Sequence, residues 1–355
     1  MRVSKDYIVV TKVPISKSLY ASERFNEDLQ MCEIHYVSPR SSLMALDIIL
    51  VGENIFFDKA PVFGDDMFFM YEDDVFGVIK DGKIIPRNDI VYIEADKDKY
   101  TVSDGGILKD ISYNPLAKGN VVQDGVVLSV CEKAKNSYYY TPLEINIEPG
   151  DHVYTHHFLT DKAFERNFNR KTYYEIKYED VYCKVIDNEI HMLNDWNFVT
   201  PIEQNLSRTD SGIYLELEAK NEVCVSLMQH PNKDMGVYPG DRVLFKRGRE
   251  YEIDVEGNTY YRINNRDILY NLETMRTLGD IVVVRPEFKA KEINGIIVRT
   301  QKDNLPEKGV VVSTSEDVDI NEGDTILYRK AAYTEVTIDG EQLLLLSAKN
   351  VYVVL

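Results

Sequence analysis

No stretch of this sequence approaches eighteen consecutive apolar residues, and its first residues, MRVSKDYIVVTKVP, lack the apolar core of a secretory leader. Neither a membrane-spanning helix nor an exported protein is expected; a cytoplasmic one is. Cysteine is scarce: Cys32, Cys131, Cys183 and Cys224 lie far apart and no CxxC pair occurs, so neither a disulfide framework nor a zinc knuckle is indicated. Positive charge is in deficit, with 41 Lys and Arg against 59 Asp and Glu, a net charge of −18. Phosphate recognition needs clustered Lys and Arg, so nucleic acid is excluded as the main partner. There is no nucleophile elbow, P-loop, metalloprotease pair or dinucleotide fingerprint, and no defined pair of carboxylates. The chain reads as a non-enzyme without cofactor or metal. Long amphipathic helical patterns are missing as well.

What the sequence does hold is strand. Aromatics make up 11% of the 355 residues, 24 of them tyrosine, and a chain of this length fits two to four domains. A Gly-Asp step followed by a short apolar run occurs at Gly64-Asp65, Gly150-Asp151, Gly240-Asp241 and Gly323-Asp324, its glycines 86, 90 and 83 residues apart. Gly accepts positive φ and Asp bonds nearby backbone N–H groups, so each step reads as a tight turn that launches a strand. Near-constant spacing points to an internal repeat.

A second series supports it. Strands open at Asp6-Tyr7-Ile8-Val9-Val10, Asp89-Ile90-Val91-Tyr92-Ile93, Asp195-Trp196-Asn197-Phe198-Val199 and Asp280-Ile281-Val282-Val283-Val284, spaced by 83, 106 and 85 residues. In the last three copies a polar stretch leads to a glycine and a short apolar stretch: Gly106-Ile107-Leu108, Gly212 with Ile213-Tyr214-Leu215, and Gly295-Ile296-Ile297-Val298. Asp339-Gly340 and Asp81-Gly82 carry hairpin signals. The expected fold is all-β: four tandem small β-barrels over residues 1–84, 85–186, 187–273 and 274–355, side by side because the links between them are short.

These residues resemble the GroES-type co-chaperonins, the chaperonin-10 family. The last copy carries the most complete likeness: the opening strand at Asp280, Gly295 to Val298, the Gly309 strand, the Gly323-Asp324 turn and a closing strand at Asn350 to Val354. The second and third copies match through NDIVYIEADK, GGIL, PGDHVY, SGIYL and PGDRVLF, and the first through KDYIVV and GDDMFF. The resemblance implies a protein that caps or assists a GroEL-type chaperonin and forms a homo-oligomeric ring. It implies chaperonin contact through a mobile loop bearing an aliphatic triplet, here Gly295 with Ile296, Ile297 and Val298. The lesser counterparts are Gly106, Ile107 and Leu108, then Ile213, Tyr214 and Leu215. The sequence departs from the family in three ways. Lys109 and Tyr214 interrupt two triplets, and the first copy's SKSLYASERFNEDLQM has no glycine. Four fused copies also do not divide into a seven-membered ring. The alternative is a structural ring or adaptor in a larger assembly such as a phage virion.

Three further constellations have both a bland and a functional reading. His152, His156 and His157 read as ordinary polar strand positions, or as a metal or pH site. DKAFERNFNRK (161–171) reads as a solvated insertion, or as a nucleic-acid or partner contact. Tyr138-Tyr139-Tyr140 reads as alternate tyrosines packing on the barrel, or as a docking surface.

Overall fold

Each opening strand buries three consecutive residues: Ile8 to Val10, Val91 to Ile93, Asn197 to Val199 and Val282 to Val284 are at most 1% exposed. Such runs do not alternate with polar residues because both faces of the strand are covered. The computed structural model describes residues 7–13, 29–52, 58–81, 83–95, 122–138, 140–156, 159, 164–168, 171–202, 223–232, 235–287, 291–293, 296–298, 307–315, 318–338 and 340–355. The chain divides into two units, Met1–Asn194 and Asp195–Leu355.

In the first unit, β1 (Tyr7–Lys12), β2 (Leu29–Tyr36), β3 (Ile48–Gly52), β4 (Asp58–Lys59), β5 (Met67–Tyr71), β6 (Val75–Lys80) and β7 (Lys83–Pro86) form sheet I, in the order β4-β5-β1-β2-β3-β6-β7. The chain continues through β8 (Ile90–Ala95), β9 (Asp124–Val130), β10 (Ala134–Lys135), β11 (Pro142–Leu143), β12 (His152–Tyr154), β13 (Glu165–Phe168), β14 (Lys171–Lys177), β15 (Cys183–Ile186) and β16 (Glu189–Met192). These give sheet II, β13-β14-β8-β9-β12-β15-β16, and a separate β10-β11 ribbon.

In the second unit, β17 (Trp196–Pro201), β18 (Val223–His230), β19 (Arg242–Lys246), β20 (Tyr251–Val255), β21 (Asn258–Asn264), β22 (Ile268–Asn271) and β23 (Arg276–Thr277) form sheet III, β20-β21-β17-β18-β19-β22-β23. The remainder is β24 (Ile281–Pro286), β25 (Lys291–Ile293), β26 (Ile296–Val298), β27 (Lys308–Thr314), β28 (Thr325–Tyr328), β29 (Thr334–Ile338), β30 (Glu341–Ser347) and β31 (Val351–Val354). Sheet IV runs β29-β30-β24-β27-β28-β31, and β25-β26 stands apart. Among the described residues the only helices are four single 3-10 turns, at Glu72–Asp74, Tyr178–Asp180, Asn265–Asp267 and Ala348–Asn350, and none is long and apolar enough to cross a membrane. The fold is all-β.

The four sheets share local construction as well as strand order. In each, one residue is skipped where the opening strand pairs with the next: His35, Leu128, Gln229 and Val312. Such a bulge sharpens the local twist and helps a small sheet coil on itself. Each sheet then makes the same turn. The N–H of Gly150, Gly240 or Gly323, all at positive φ, donates to the carbonyl of Val127, Met228 or Val311 at 2.7–2.9 Å. The carboxylate of the following Asp accepts the N–H three residues back, from Glu148, Tyr238 or Asn321, at 2.8–3.0 Å.

In sheet I this turn is not at Gly64-Asp65, as the sequence led us to expect, but at Leu46-Asp47. Leu46, at φ 73°, donates to the Ile34 carbonyl at 2.7 Å, and Asp47 accepts from Met44 N–H at 2.8 Å. Gly64-Asp65 instead precedes β5, a different strand of the sheet. Tolerance of leucine here follows from its exposure, 72%: the side chain displaces nothing, and only the backbone strain remains. The hairpin signals are realised as the pairs β6-β7 and β29-β30, which close at Lys80↔Lys83 and Ile338↔Glu341.

The cores are separate. Sheet I encloses Ile8, Val10, Cys32, Ile34, Ile49 and Met70. Sheet II encloses Val91, Ile93, Val127, Val153 and Tyr178. Val199, Met228, Val243 and Ile263 fill sheet III, and Val282, Val284, Val311, Ile326 and Leu344 fill sheet IV. All four cysteines are free thiols; burial pushes Cys32 and Cys131 up to about 11.

The turn yields a paired stability prediction. Left-handed backbone costs an L-residue roughly 1–2 kcal/mol. Gly323→Ala should therefore destabilise the protein by about 1 kcal/mol. Leu46→Gly should be neutral or stabilising, by at most about 1 kcal/mol, because added chain entropy offsets part of the relief. Urea unfolding midpoints of the two variants against the parent provide the check.

Candidate functional site

The segment between β24 and β27 leaves sheet IV from a closed base. β24 ends at Pro286, which has no N–H to continue a ladder. Beyond it, the N–H of Glu287 donates to the Lys308 carbonyl at 2.8 Å and the Lys308 ammonium meets the Glu287 carboxylate at 2.8 Å. Tyr328 adds its hydroxyl to the Lys308 carbonyl at 3.3 Å and its N–H to the Glu307 carbonyl at 3.0 Å. Burial pushes the Tyr328 phenol well above its ordinary range. Sequence reading missed this clamp; no motif announces it, because its members become neighbours only when β27 and β28 pair.

Within the segment, β25 and β26 pair as Lys291↔Val298, Glu292↔Ile297 and Ile293↔Ile296. Among the described residues the ribbon pairs with no strand of sheet IV. Ile296, Ile297 and Val298 thus lie in a separate two-stranded ribbon rather than in sheet IV. The other candidates, Gly295, Gly106, Ile107, Leu108, Ile213, Tyr214 and Leu215, lie outside the described residues. Their chain positions correspond, each falling in the connection from an opening strand to the next long strand: β8 to β9, β17 to β18, and β24 to β27.

The remaining constellations resolve into local packing. His152 Nε2 lies 3.0 Å from the buried Asp124 carboxylate, and His156, beyond the end of β12, stacks edge-on against Phe164. His157 lies outside the described residues. Among those described, no three His, Cys, Asp or Glu are arranged to hold a metal. The basic stretch contributes β13, whose Arg166 reaches Glu175 at 3.1 Å and lies over the Phe76 ring at 4.9 Å. Burial raises the Glu175 carboxyl, opposed by Arg166. Tyr138 and Tyr140 correct the expectation of inward packing: they are 61% and 76% exposed at the tip of the β10-β11 ribbon, with Tyr140 at φ 57°. The turn is held by the Asn136 side chain and backbone, which accept the N–H groups of Tyr138 and Tyr140 at 2.8 Å and aim both rings outward.

Comparison with known proteins places sheet IV. The family profile of the chaperonin 10 Kd subunit, Cpn10, matches residues 274–355, which hold all of sheet IV and its ribbon. The co-chaperonin GroES of Micrococcus luteus is 34% identical over 92 residues, 23% of this chain and 94% of that protein. Those of Gemmatimonas aurantiaca and Ruegeria sp. are 39% and 34% identical over 89 and 88 residues, 91% and 93% of their own lengths. The chain belongs to the chaperonin 10 family. Each relative is spanned almost whole by less than a quarter of this chain, so one Cpn10 segment is carried within a much longer protein.

Because the ribbon shares no strand pairing with sheet IV, replacing 291–298 by a Gly/Ser segment of equal length should cost the fold little. A change of at most about 0.5 kcal/mol is expected, as for surface changes away from any buried feature. Thermal unfolding followed by circular dichroism measures it; a loss of several kcal/mol would place the triplet in the core.

Proposed function

We propose that the protein is a fused co-chaperonin: four copies of the Cpn10-type barrel in one chain, acting with a GroEL-type chaperonin in the cytoplasm to assist folding. The observation that carries this reading is that the Cpn10 match spans both sheet IV and the ribbon bearing Ile296, Ile297 and Val298. The shared strand order, bulge, turn and 3-10 corner of the four sheets support extending the fold to the whole chain. In this reading the copies divide near residues 84, 186 and 273. The role is non-catalytic. Ile296, Ile297 and Val298 enter an apolar groove on the chaperonin, with Gly106 to Leu108 and Ile213 to Leu215 as weaker counterparts.

The energetics favour several loops acting together. Burying three aliphatic side chains contributes very roughly 1.5–3 kcal/mol each. Ordering the segment costs about 1–2 kcal/mol per fixed residue and cancels much of that gain. Useful affinity then comes from several loops presented at once, on one chain or in a ring of chains. Lys109 and Tyr214 weaken two triplets, and this favours a second reading in which the chain is a structural ring or adaptor of a larger assembly such as a virion.

Changing Ile296 and Val298 together to Ser separates the two. The co-chaperonin reading expects pull-down by a GroEL-type chaperonin with nucleotide to fall at least tenfold, with an unchanged circular dichroism melt. An intact parent protein that binds no chaperonin under any nucleotide condition would leave the adaptor reading.

A further inference from the structure

The two units join their sheets at the same register positions but with different chemistry. In the second unit the β29-β30 hairpin of sheet IV covers sheet III: Val336, Leu343 and Leu345 are at most 6% exposed and pack with Leu244, Leu269 and Tyr270. In the first unit the β13-β14 hairpin of sheet II takes the same place over sheet I. Glu175 pairs with Tyr92 as Leu345 pairs with Val283, and Arg166 pairs with Tyr173 as Val336 pairs with Leu343. Three aliphatic side chains of one junction are thus Arg166, Tyr173 and Glu175 in the other. The flanking contact is common to both: the Ser129 hydroxyl donates to the Ile84 carbonyl, and that of Ser313 to the Met275 carbonyl at 3.1 Å.

The polar seam is largely enclosed. Arg166 Nε lies 3.1 Å from Glu175 Oε2, the two side chains being 20% and 18% exposed, and the guanidinium lies over the Phe76 ring of sheet I at 4.9 Å. That carboxylate oxygen makes no well-aligned hydrogen bond among the described residues. Tyr173 stands edge-on to Tyr92 at 5.6 Å, and the Tyr92 hydroxyl donates to the Phe76 carbonyl at 3.3 Å. An enclosed ion pair forfeits hydration, and replacing one by aliphatic side chains of similar volume is often neutral or stabilising. The aliphatic junction of the second unit carries no such cost. The chain limits any opening of the first to a hinge, because only Arg87, Asn88 and Asp89 separate β7 from β8.

We propose that sheets I and II part and rejoin along this charged seam while sheets III and IV stay closed, which makes the first unit a hinged pair and the second a rigid one. Parting returns Arg166 and Glu175 to water and leaves the separate cores of the two sheets intact. The hinge is also proton-linked. Burial raises the Glu175 carboxyl in the closed form, with Arg166 opposing, and opening returns it toward the ordinary value of 4.5. Closure therefore takes up protons between these values, so the seam tightens as pH falls through the raised value toward 4.5 and loosens as pH rises. The other titratable groups beside it are Tyr92 and Tyr173, with Glu94 and Lys171, 3.4 Å apart, beyond Tyr173. Sheet I contributes Met31, Leu50 and Phe76, none of which titrates. Nothing in this depends on chaperonin binding, and its test contains no chaperonin, so the two readings fail separately.

The test is thiol labelling of the folded full chain at two register-equivalent junction positions, Leu50→Cys in the first unit and Leu244→Cys in the second, both at most 3% exposed. Dithiodipyridine is the reagent, and peptide-resolved mass spectrometry separates the new thiol from the four native ones. Position 50 should react roughly tenfold faster than position 244 or more, an excess that corresponds to the low end of what an enclosed ion pair forfeits. Its rate should also depend less steeply on urea than global unfolding does, because a hinge exposes less surface. Adding Arg166→Val with Glu175→Leu, the pattern of β29-β30, should remove the excess. Lowering the pH from about 7 to about 5 should shrink it, and Glu175→Gln should abolish that pH dependence. Equal labelling at the two positions, or an excess that survives the paired substitution, would overturn the hinge. An excess that does not change with pH would overturn its proton linkage. Should either leucine variant unfold, Ile79→Cys and Leu272→Cys, the partly buried pair at the same two junctions, carry the comparison with the same outcomes.

Discussion

One turn holds this protein's geometry. A residue in the left-handed region points its N–H back at the carbonyl of the preceding long strand, and the next Asp uses its own carbonyl to accept that strand's N–H, as in Val127 to Asp151 and Val311 to Asp324. The Asp carboxylate meanwhile satisfies the amide three residues earlier. Three backbone or side-chain bonds therefore fix where the third long strand begins, and its register follows. A one-residue slip would turn Val153, Val243 or Ile326 out of its core and leave the polar turn buried.

The second constraint is that each opening strand is covered twice. In β8, Val91 and Ile93 face the core of sheet II while Tyr92 belongs to the junction with sheet I. In β24, Val282 and Val284 face inward and Val283 joins the residues of sheet III. In these two strands the residue on the far face is as buried as a core residue because a neighbouring sheet covers it. This makes packing between sheets part of each sheet's own stability, and it explains the contrast between Tyr270, 1% exposed, and its register counterpart Val353, 46% exposed.

Legibility followed the locality of the physics. The Gly-Asp turns at 150, 240 and 323 and the hairpins after Lys80 and Ile338 were readable because their residue types are demanded by backbone angles alone. The same logic misplaced the first turn. A leucine at positive φ gives no sequence signal, and Gly64-Asp65 nearby offered a better match to the motif. Tyr138 and Tyr140 were misread because aromatic residues usually find cover, whereas here Asn136 folds the turn so that both project. The Glu287–Lys308 base of the ribbon and the junction serines were invisible, since their partners come from strands distant in sequence. The triplet at Ile296 to Val298 stood out in the repeat series, but only family resemblance assigned it a chaperonin contact.

Native-state hydrogen exchange at the turn amides tests the central claim most directly. If the turn anchors every sheet, the N–H groups of Leu46, Gly150, Gly240 and Gly323 should exchange only on the timescale of the core strands beside them, although all four residues are exposed. Exchange at the rate of unprotected surface turns at any of the four, while Ile34, Val127, Met228 and Val311 remain protected, would contradict the account.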